Sequence, residues 1–292
     1  MLISIITLNY KKKELTLSCL KSLYDQFRDE FEKNLMEVIV VDNASGKEAD
    51  EIKKEVESKK YKNSKVIEND QNYGFGKGCN IGAKGAEGEY LLFLNNDTVV
   101  KDKSLLEMVN YLNKNQKVSI LGGQLKNMDE SLQISSGSFY NLFSVTMLLA
   151  GLQRLGMVDK SPREIKKVDW VKGGLFMIRR DVFEKLNGFD ENIFMYTEDM
   201  ELCFRAKQKG FLTYFYPFTN VLHEEHGSTN RTFAIVNIYK NLLYFYKKHK
   251  SYPEYLILKV LLFTKAYVLI LVGILLNNNY LKDTYKQAVK GI

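Results

Sequence analysis

Residues 91–97 read Leu-Leu-Phe-Leu-Asn-Asn-Asp, an apolar run halted by three small polar side chains. Four apolar residues in succession suit a strand buried on both faces, as in a parallel sheet. Ligands of open α/β sheets bind beyond the carboxyl ends of such strands, and Asp97 falls at that point. A carboxylate there can hold a divalent cation, and the cation can hold a diphosphate. A turn built on Asn95, Asn96 and Asp97 is the plainer alternative. A second acidic stretch, Glu198-Asp199-Met200-Glu201, opens a segment that Met200, Leu202, Cys203 and Phe204 would anchor in a core as a helix. Carboxylates in a first helical turn are favoured by the helix dipole, with Thr197 as the expected N-cap. Two of the three histidines, His223 and His226, follow an apolar strand pattern closely.

The elements that would carry these side chains alternate between strand and helix. Leu2–Thr7, Glu37–Val41 and Lys65–Glu68 read as strands, and Glu14–Phe27 carries apolar residues close to helical spacing. Lys47–Lys60 is charged and helix-prone, and residues 69–80 form a glycine-rich stretch leading into a short helix. Beyond Asp97 come a helix at Ser104–Lys114 and strands at Val118–Leu121 and Leu175–Ile178. Two further strands, Phe211–Tyr216 and Thr219–Leu222, are split at Pro217, and Arg231–His249 reads as a helix. Ser131–Ser138 is a polar strand or loop, and residues 139–165 are a mobile cover or a satellite helix. Strands alternating with helices give an α/β class with a Rossmann-like mixed, mostly parallel sheet.

Three strand ends, Thr7–Tyr10, Asp42–Ser45 and Asn95–Asp97, would then converge on one rim. Asp42 can accept from a pyrimidine imide or from ribose hydroxyls, and Gly74, Gly76 and Gly78 permit close backbone approach to phosphates. Their spacing departs from the dinucleotide fingerprint, and no P-loop lysine motif is present. Trp170, the single tryptophan, stands where it can stack on a sugar face or pack in a core.

The segments Thr7–Tyr10, Val40–Ser45, Asn72–Gly82 and Leu91–Val100, in this order and spacing, resemble the nucleotide-binding half of inverting family 2 glycosyltransferases of GT-A fold. The flavour is that of the rhamnosyltransferase-like branch that builds bacterial cell-surface polysaccharides. The resemblance covers roughly residues 1–230 and implies a GT-A domain there, with a nucleotide half at about 1–100 and an acceptor half at about 101–230. Residues 231–292 are then a helical extension. It implies a UDP- or dTDP-sugar donor held by Thr7, Asn9, Tyr10, Asp42, Asn72, Gly74, Lys77, Asn80, Asn95 and Asn96. The Asp-x-Asp motif of the family is relaxed here to Asn95-Asn96-Asp97, so Asp97 alone offers a charge to Mg2+ or Mn2+. A histidine completes that site in the family, and the spacing to Gly227-Ser228 favours His223 over His226. The Glu-Asp motif carries over as Asp199, the catalytic base, with Glu198 its neighbour. Gly173 and Gly174 match small residues that leave room for a sugar ring, beside Trp170 in the acceptor site. A carboxylate base is wanted because a sugar hydroxyl is a poor nucleophile. The implied reaction is a direct displacement that inverts the anomeric centre, with a glycan or polyprenyl-linked acceptor. A glycosyltransferase-like scaffold that binds glycan or a partner enzyme is the alternative.

The chain carries a net charge of +7, and from Lys240 onward nine lysines face only Glu254 and Asp283, so the tail holds the whole excess. That excess beside the apolar run Glu254–Leu276 points to an anionic phospholipid surface, and no nucleic-acid motif occurs. Lys259 and Lys265 inside the run argue for an interfacial helix over a span; packing on the catalytic domain or a homodimer contact is the other use. Cys19, Cys79 and Cys203 are widely spaced and read as reduced thiols. With no basic leader before the first strand, a cytoplasmic location, peripheral on the inner membrane face, is the expectation.

Overall fold

The computed structural model describes residues 1–149, 161–224 and 230–291. They form two compact units, described separately. In chain order the first unit begins with β1 (Ile3–Asn9), α1 (Lys13–Glu32), β2 (Met36–Asp42), α2 (Lys47–Ser58), β3 (Ser64–Glu68), α3 (Gly74–Lys84) and β4 (Tyr90–Leu94). It continues with β5 (Thr98–Val100), α4 (Ser104–Lys114), β6 (Val118–Lys126) and β7 (Ser136–Gly137). In the second unit lies α5 (Leu142–Leu149). The first unit resumes with β8 (Lys166–Lys167), β9 (Trp170–Val171), β10 (Leu175–Arg179), α6 (Arg180–Lys185), α7 (Glu198–Gln208) and β11 (Leu212–His223). The second unit ends the chain with α8 (Arg231–His249), α9 (Tyr252–Leu275) and α10 (Asn279–Lys290).

The main sheet runs β3-β2-β1-β4-β10-β6-β11-β5, with β8 beside β11. Strands β1 to β4 are mutually parallel where they pair, and β11 is parallel to β6. Only β10 and the short β5 and β8 run against their neighbours. Helices shield the sheet, which is why β2 and β4 are buried at every position and carry the apolar runs Val38–Val41 and Leu91–Leu94. The carboxyl ends of β1, β2, β4, β6 and β11 and the entrance to β10 all lie along one edge of the sheet.

Three local expectations are corrected. The glycine-rich stretch after β3 is already helix from Gly74 onward. Its glycines let α3 lie tight against the sheet: a Cβ at Gly78 would fall 2.5 Å from Leu8 Cδ2, and one at Gly82 2.7 Å from Ile6 Cγ2. Strand β11 is one element, not two, because a register shift against β6 between Tyr216 and Val221 absorbs Pro217. Thr197 does not cap α7: it has φ 70° and its buried hydroxyl has no hydrogen-bond partner.

In the second unit, α9 packs against α8, α10 and α5. Its start is fixed by a capping box in which Ser251 and Glu254 exchange hydrogen bonds. Leu258, Leu262, Ala266 and Gly273 form its buried face, while Leu256, Ile257, Val260, Tyr267, Val268, Leu271, Ile274 and Leu275 are exposed. Helix α10 closes the helical extension, with Thr284, Tyr285 and Ala288 buried.

Gly122 on β6 shows how little slack the first unit has. An added Cβ would sit 2.2 Å from Val171 Cβ, a stiff β-branched neighbour. Gly122→Ala is expected to cost about 1–3 kcal/mol, the usual range for overpacking, read as a lower urea midpoint with unchanged slope.

Candidate active site

The three polar strand ends meet in one hydrogen-bonded network. Asn9 lies fully buried at the end of β1, opposite Asp42 in the parallel register. Its amide nitrogen donates to Asp42 Oδ1 at 2.6 Å, while the Ser45 N–H donates to Asp42 Oδ2 at 2.8 Å. Both Asp42 oxygens are thereby engaged in holding the turn that follows β2. Thr16 on α1 donates to Asn9 Oδ1 at 2.9 Å and accepts from Asn96 Nδ2 at 2.9 Å, tying the β1 and β4 ends together. Thr16 was not singled out in the sequence; a buried hydroxyl on the core face of a helix is its signal. Thr7 is buried with an unpartnered hydroxyl, and Tyr10 is exposed.

Around α3 the polar side chains grip neighbouring backbone. Asn43 Nδ2 donates to the Gly74 carbonyl at 3.0 Å and Asn69 Nδ2 to Asn43 Oδ1 at 2.8 Å. Asn72 Oδ1 accepts from the Gly74 N–H. Asn80 holds the Phe189 peptide from both sides, donating to its carbonyl at 2.9 Å and accepting from its N–H at 2.8 Å. Lys77 lies over the Tyr73 ring at 4.1 Å, with Glu191 Oε2 3.7 Å away.

The acidic end of β4 is completed from the far side of the sheet. Antiparallel pairing of β5 with β11 sets His223 opposite Thr98, and the Glu224 N–H donates to the Asp97 carbonyl at 3.0 Å. His223 Nε2 then stands 3.3 Å from Asp97 Oδ1 and 3.1 Å from Asn95 Nδ2. Asp97 and His223 are both about 95 % buried, and Asp97 Oδ1 has no hydrogen-bond donor. His226 lies outside the described residues.

These atoms fit a divalent ion. Adjacent ligands of an octahedral ion at about 2.1 Å stand about 3 Å apart, close to the spacing of Asp97 Oδ1 and His223 Nε2. A carboxylate with an imidazole is a donor set for Mg2+ or Mn2+. Among the described residues no group of three acidic, histidine or cysteine side chains is placed to hold a metal ion.

The acidic pair at the start of α7 divides into two environments. Asp199 is half-buried; its Oδ2 accepts from the Gly173 N–H at 2.8 Å and its Oδ1 from the Met200 N–H at 2.7 Å. Glu198 is buried near Gly76 of α3, and its Oε2 has no partner. Burial pushes the Glu198 carboxyl well above the usual carboxylate range, and the Asp199 charge adds to this. Burial raises Asp199 as well, opposed by the Gly173 and Met200 N–H groups. Glu201 is instead neutralised by Arg205, at 2.8 and 2.9 Å.

Gly173 and Gly174 connect the two acidic centres. Gly173 donates to Asp199, while the Gly174 carbonyl accepts from the Asn95 N–H at 3.2 Å. A Cβ at Gly174 would meet Leu125 Cδ1 at 3.1 Å and Asn95 Nδ2 at 3.2 Å, so the site closes around a bare backbone. Trp170 is half-buried on β9, its indole N–H donating to the Ser138 carbonyl at 3.1 Å. A separate depression lined by Gln116, Arg179, Asp181 and Phe211 lies where β6 and β11 begin, at the opposite edge.

A mixed sheet of this order, with an acidic strand end and a carboxylate-led helix on one edge, is the GT-A architecture of glycosyltransferases. The model described as Glycosyl transferase family 2 matches residues 4–187, more than half of the chain, and the chain belongs to that family. A model described as the N-terminal domain of galactosyltransferase matches residues 162–227. The chain is 28% identical to "Rhamnosyltransferase WbbL" of Escherichia coli (strain K12) over 170 residues, 55% of this chain and 64% of that protein. It is 39% identical over 66 residues, 23% of this chain and 22% of the relative, to "N-acetylglucosaminyl-diphospho-decaprenol L-rhamnosyltransferase" of Mycobacterium tuberculosis. Both matches span less than two thirds of the relative's length. The mannosyltransferase PcManGT of Pyrobaculum calidifontis, solved with GDP-Man and Mn2+, shares the fold. Its TM-score is 0.60 at 16% identity, over 99% of this chain and 74% of that one.

Glu198 makes a pH-dependent signature. Its folded-state pKa lies above the ordinary value of about 4.3, so the fold loses stability as pH rises from there through the folded value. Glu198→Gln is expected to melt higher than the wild type at about pH 8, the gap closing toward about pH 4. Differential scanning calorimetry at several pH values reads this.

Proposed function

We propose that the protein transfers a sugar, rhamnose by the names of its relatives, from a UDP- or dTDP-sugar to a hydroxyl of a glycan or polyprenyl-linked acceptor. The carrying observation is that the Gly173-Gly174 backbone joins a half-buried carboxylate, Asp199, to an acidic strand end whose Asp97 Oδ1 lacks a donor. In this reading residues 1–100 form the donor half and 101–230 the acceptor half.

Asp199 is the general base. It reaches the edge of the site, and its burial-raised pKa brings it closer to the pH at which it must take a hydroxyl proton. Glu198, sealed under α3, tunes its neighbour. Asp97 and His223 hold a divalent ion, which when bound supplies positive charge to the diphosphate as it leaves. Asp42, with both oxygens engaged, shapes the base pocket through the Asn43–Ser45 turn. Trp170 offers its ring face to the acceptor.

Nucleotide-stabilised melting tests the site. UDP or dTDP with Mn2+ at about 100 times its dissociation constant should add about 2.7 kcal/mol of stability, and Asp97→Ala should abolish this. Asp199→Asn should keep nucleotide binding and lose turnover by about 10²-fold or more. Turnover retained in Asp199→Asn would remove it as the base, and absence of any nucleotide response would favour a glycan-binding scaffold.

The exposed apolar strip of α9 fits an anionic membrane surface at the cytoplasmic face, where a polyprenyl-linked acceptor would be met. At about 100° per residue, Lys259 and Lys265 fall on opposite flanks of that strip, placed to reach headgroups while the strip enters the acyl boundary. Helix α10 adds Lys282, Lys286 and Lys290 at successive turns. Although α9 is long and apolar enough to cross a membrane, these lysines favour a helix lying on it. The full chain should co-sediment with phosphatidylglycerol-containing vesicles but weakly with phosphatidylcholine alone. Val260→Glu with Leu271→Glu should cut this at least about tenfold, since each fully buried Leu or Val contributes about 1.5–3 kcal/mol. A charged pair that instead converts a dimer to a monomer, with vesicle binding unchanged, would assign the strip to a second copy.

A further inference from the structure

Gln133 follows β6 in a polar stretch and is only 4% exposed. Its own backbone is fixed: its N–H donates to the Leu125 carbonyl at 3.0 Å, and its carbonyl accepts from Gln124 Nε2 at 2.7 Å. One end of its side-chain amide meets two oxygens, the His223 carbonyl at 2.9 Å and Asn127 Oδ1 at 2.7 Å. Two acceptors identify that end as the NH2 group. The other end is therefore the oxygen, and it lies 2.8 Å from His223 Nδ1. An amide oxygen can only accept, so the imidazole proton resides on Nδ1.

The far side of the ring agrees. With the proton on Nδ1, Nε2 can accept from Asn95 Nδ2 at 3.1 Å. This tautomer also leaves Nε2 and Asp97 Oδ1 facing each other at 3.3 Å as two acceptors, with the carboxylate oxygen lacking any donor. Such a pair lacks only a cation between them. Outer partners that fix a ligand's tautomer are a recurring feature of metal sites, and their loss weakens metal binding about 10–100-fold.

We infer that Gln133 is a positioning residue: it locks His223 in the Nδ1–H tautomer, turns the Nε2 lone pair toward Asp97, and so prepares the pair for a divalent ion. The inference rests on the metal-dependent reading of this site, yet the tautomer is observable without metal. Gln133 also ties the Asn127 turn to the end of β11, so the same side chain sets both the ring's tautomer and its height above Asp97.

The test uses the full chain with 15N-labelled histidine. Long-range 1H–15N correlation of the metal-free protein, with His223 identified by its loss in His223→Gln, is expected to show the Nδ1–H pattern in the wild type. Gln133→Leu should lose that pattern and weaken Mn2+ binding, followed by electron paramagnetic resonance with UDP present, about 10–100-fold. Gln133→Glu, which keeps an acceptor for Nδ1–H, should retain the tautomer. An Nε2–H tautomer in the wild type overturns the inference without any variant. So does a folded Gln133→Leu protein that binds Mn2+ as the wild type does. If the wild type shows Nδ1–H, Gln133→Leu loses it, and neither binds Mn2+, the positioning role stands and it is the metal reading that fails.

Discussion

The antiparallel pairing of three residues of β5 with the last three of β11 is the constraint on which the site depends. Asp97 and His223 are 126 positions apart in the sequence, and nothing local brings them together. The pairing does so with the register His223 to Thr98, and it buries both side chains among β4, β5 and β11. Burial removes the water that would otherwise satisfy two facing acceptors. A carboxylate oxygen left without a donor in such a place is costly to the fold, by about 1–3 kcal/mol or more for a charged group. That cost is what a cation would relieve, which is why the metal site is proposed here.

Asp199, the proposed base, is placed by a different constraint. Two adjacent glycines before β10 serve opposite partners, Gly173 giving its N–H to Asp199 and Gly174 its carbonyl to Asn95. Any side chain at Gly174 would press on Asn95 and Leu125. The spacing between Asp199 and the end of β4 is thus set by two backbone units, which are stiffer than any side-chain arrangement. Two carboxylates adjacent in sequence thus stand in different surroundings. Asp199 stays reachable and hydrogen-bonded, whereas Glu198 is sealed away.

Much of this was legible in the sequence, and the exceptions have physical causes. The strands ending at Asn9, Asp42 and Leu94 announce themselves because double-sided burial demands mostly apolar, β-branched-rich runs that stop at polar residues. Helix α3 hides because its glycines are chosen by the sheet beneath, at Leu8 and Ile6, against their own helix propensity. The continuity of β11 past Pro217 depends on a register shift visible only with β6 in place. Thr197 looks like a cap from composition, but its left-handed backbone takes the hydroxyl out of that role. Gln133 carries no chemical signal between Leu132 and Ile134; only its partners reveal it.

The most direct measurement is electron–nuclear double resonance on Mn2+ bound to the full chain with UDP, comparing natural-abundance with 15N-histidine-labelled protein. A nitrogen coupling that changes with the label and vanishes in His223→Gln, together with a phosphorus coupling from the diphosphate, is the expected result. Mn2+ that binds with no histidine nitrogen in its coordination sphere would contradict the assignment of Asp97 and His223 as the ion's seat.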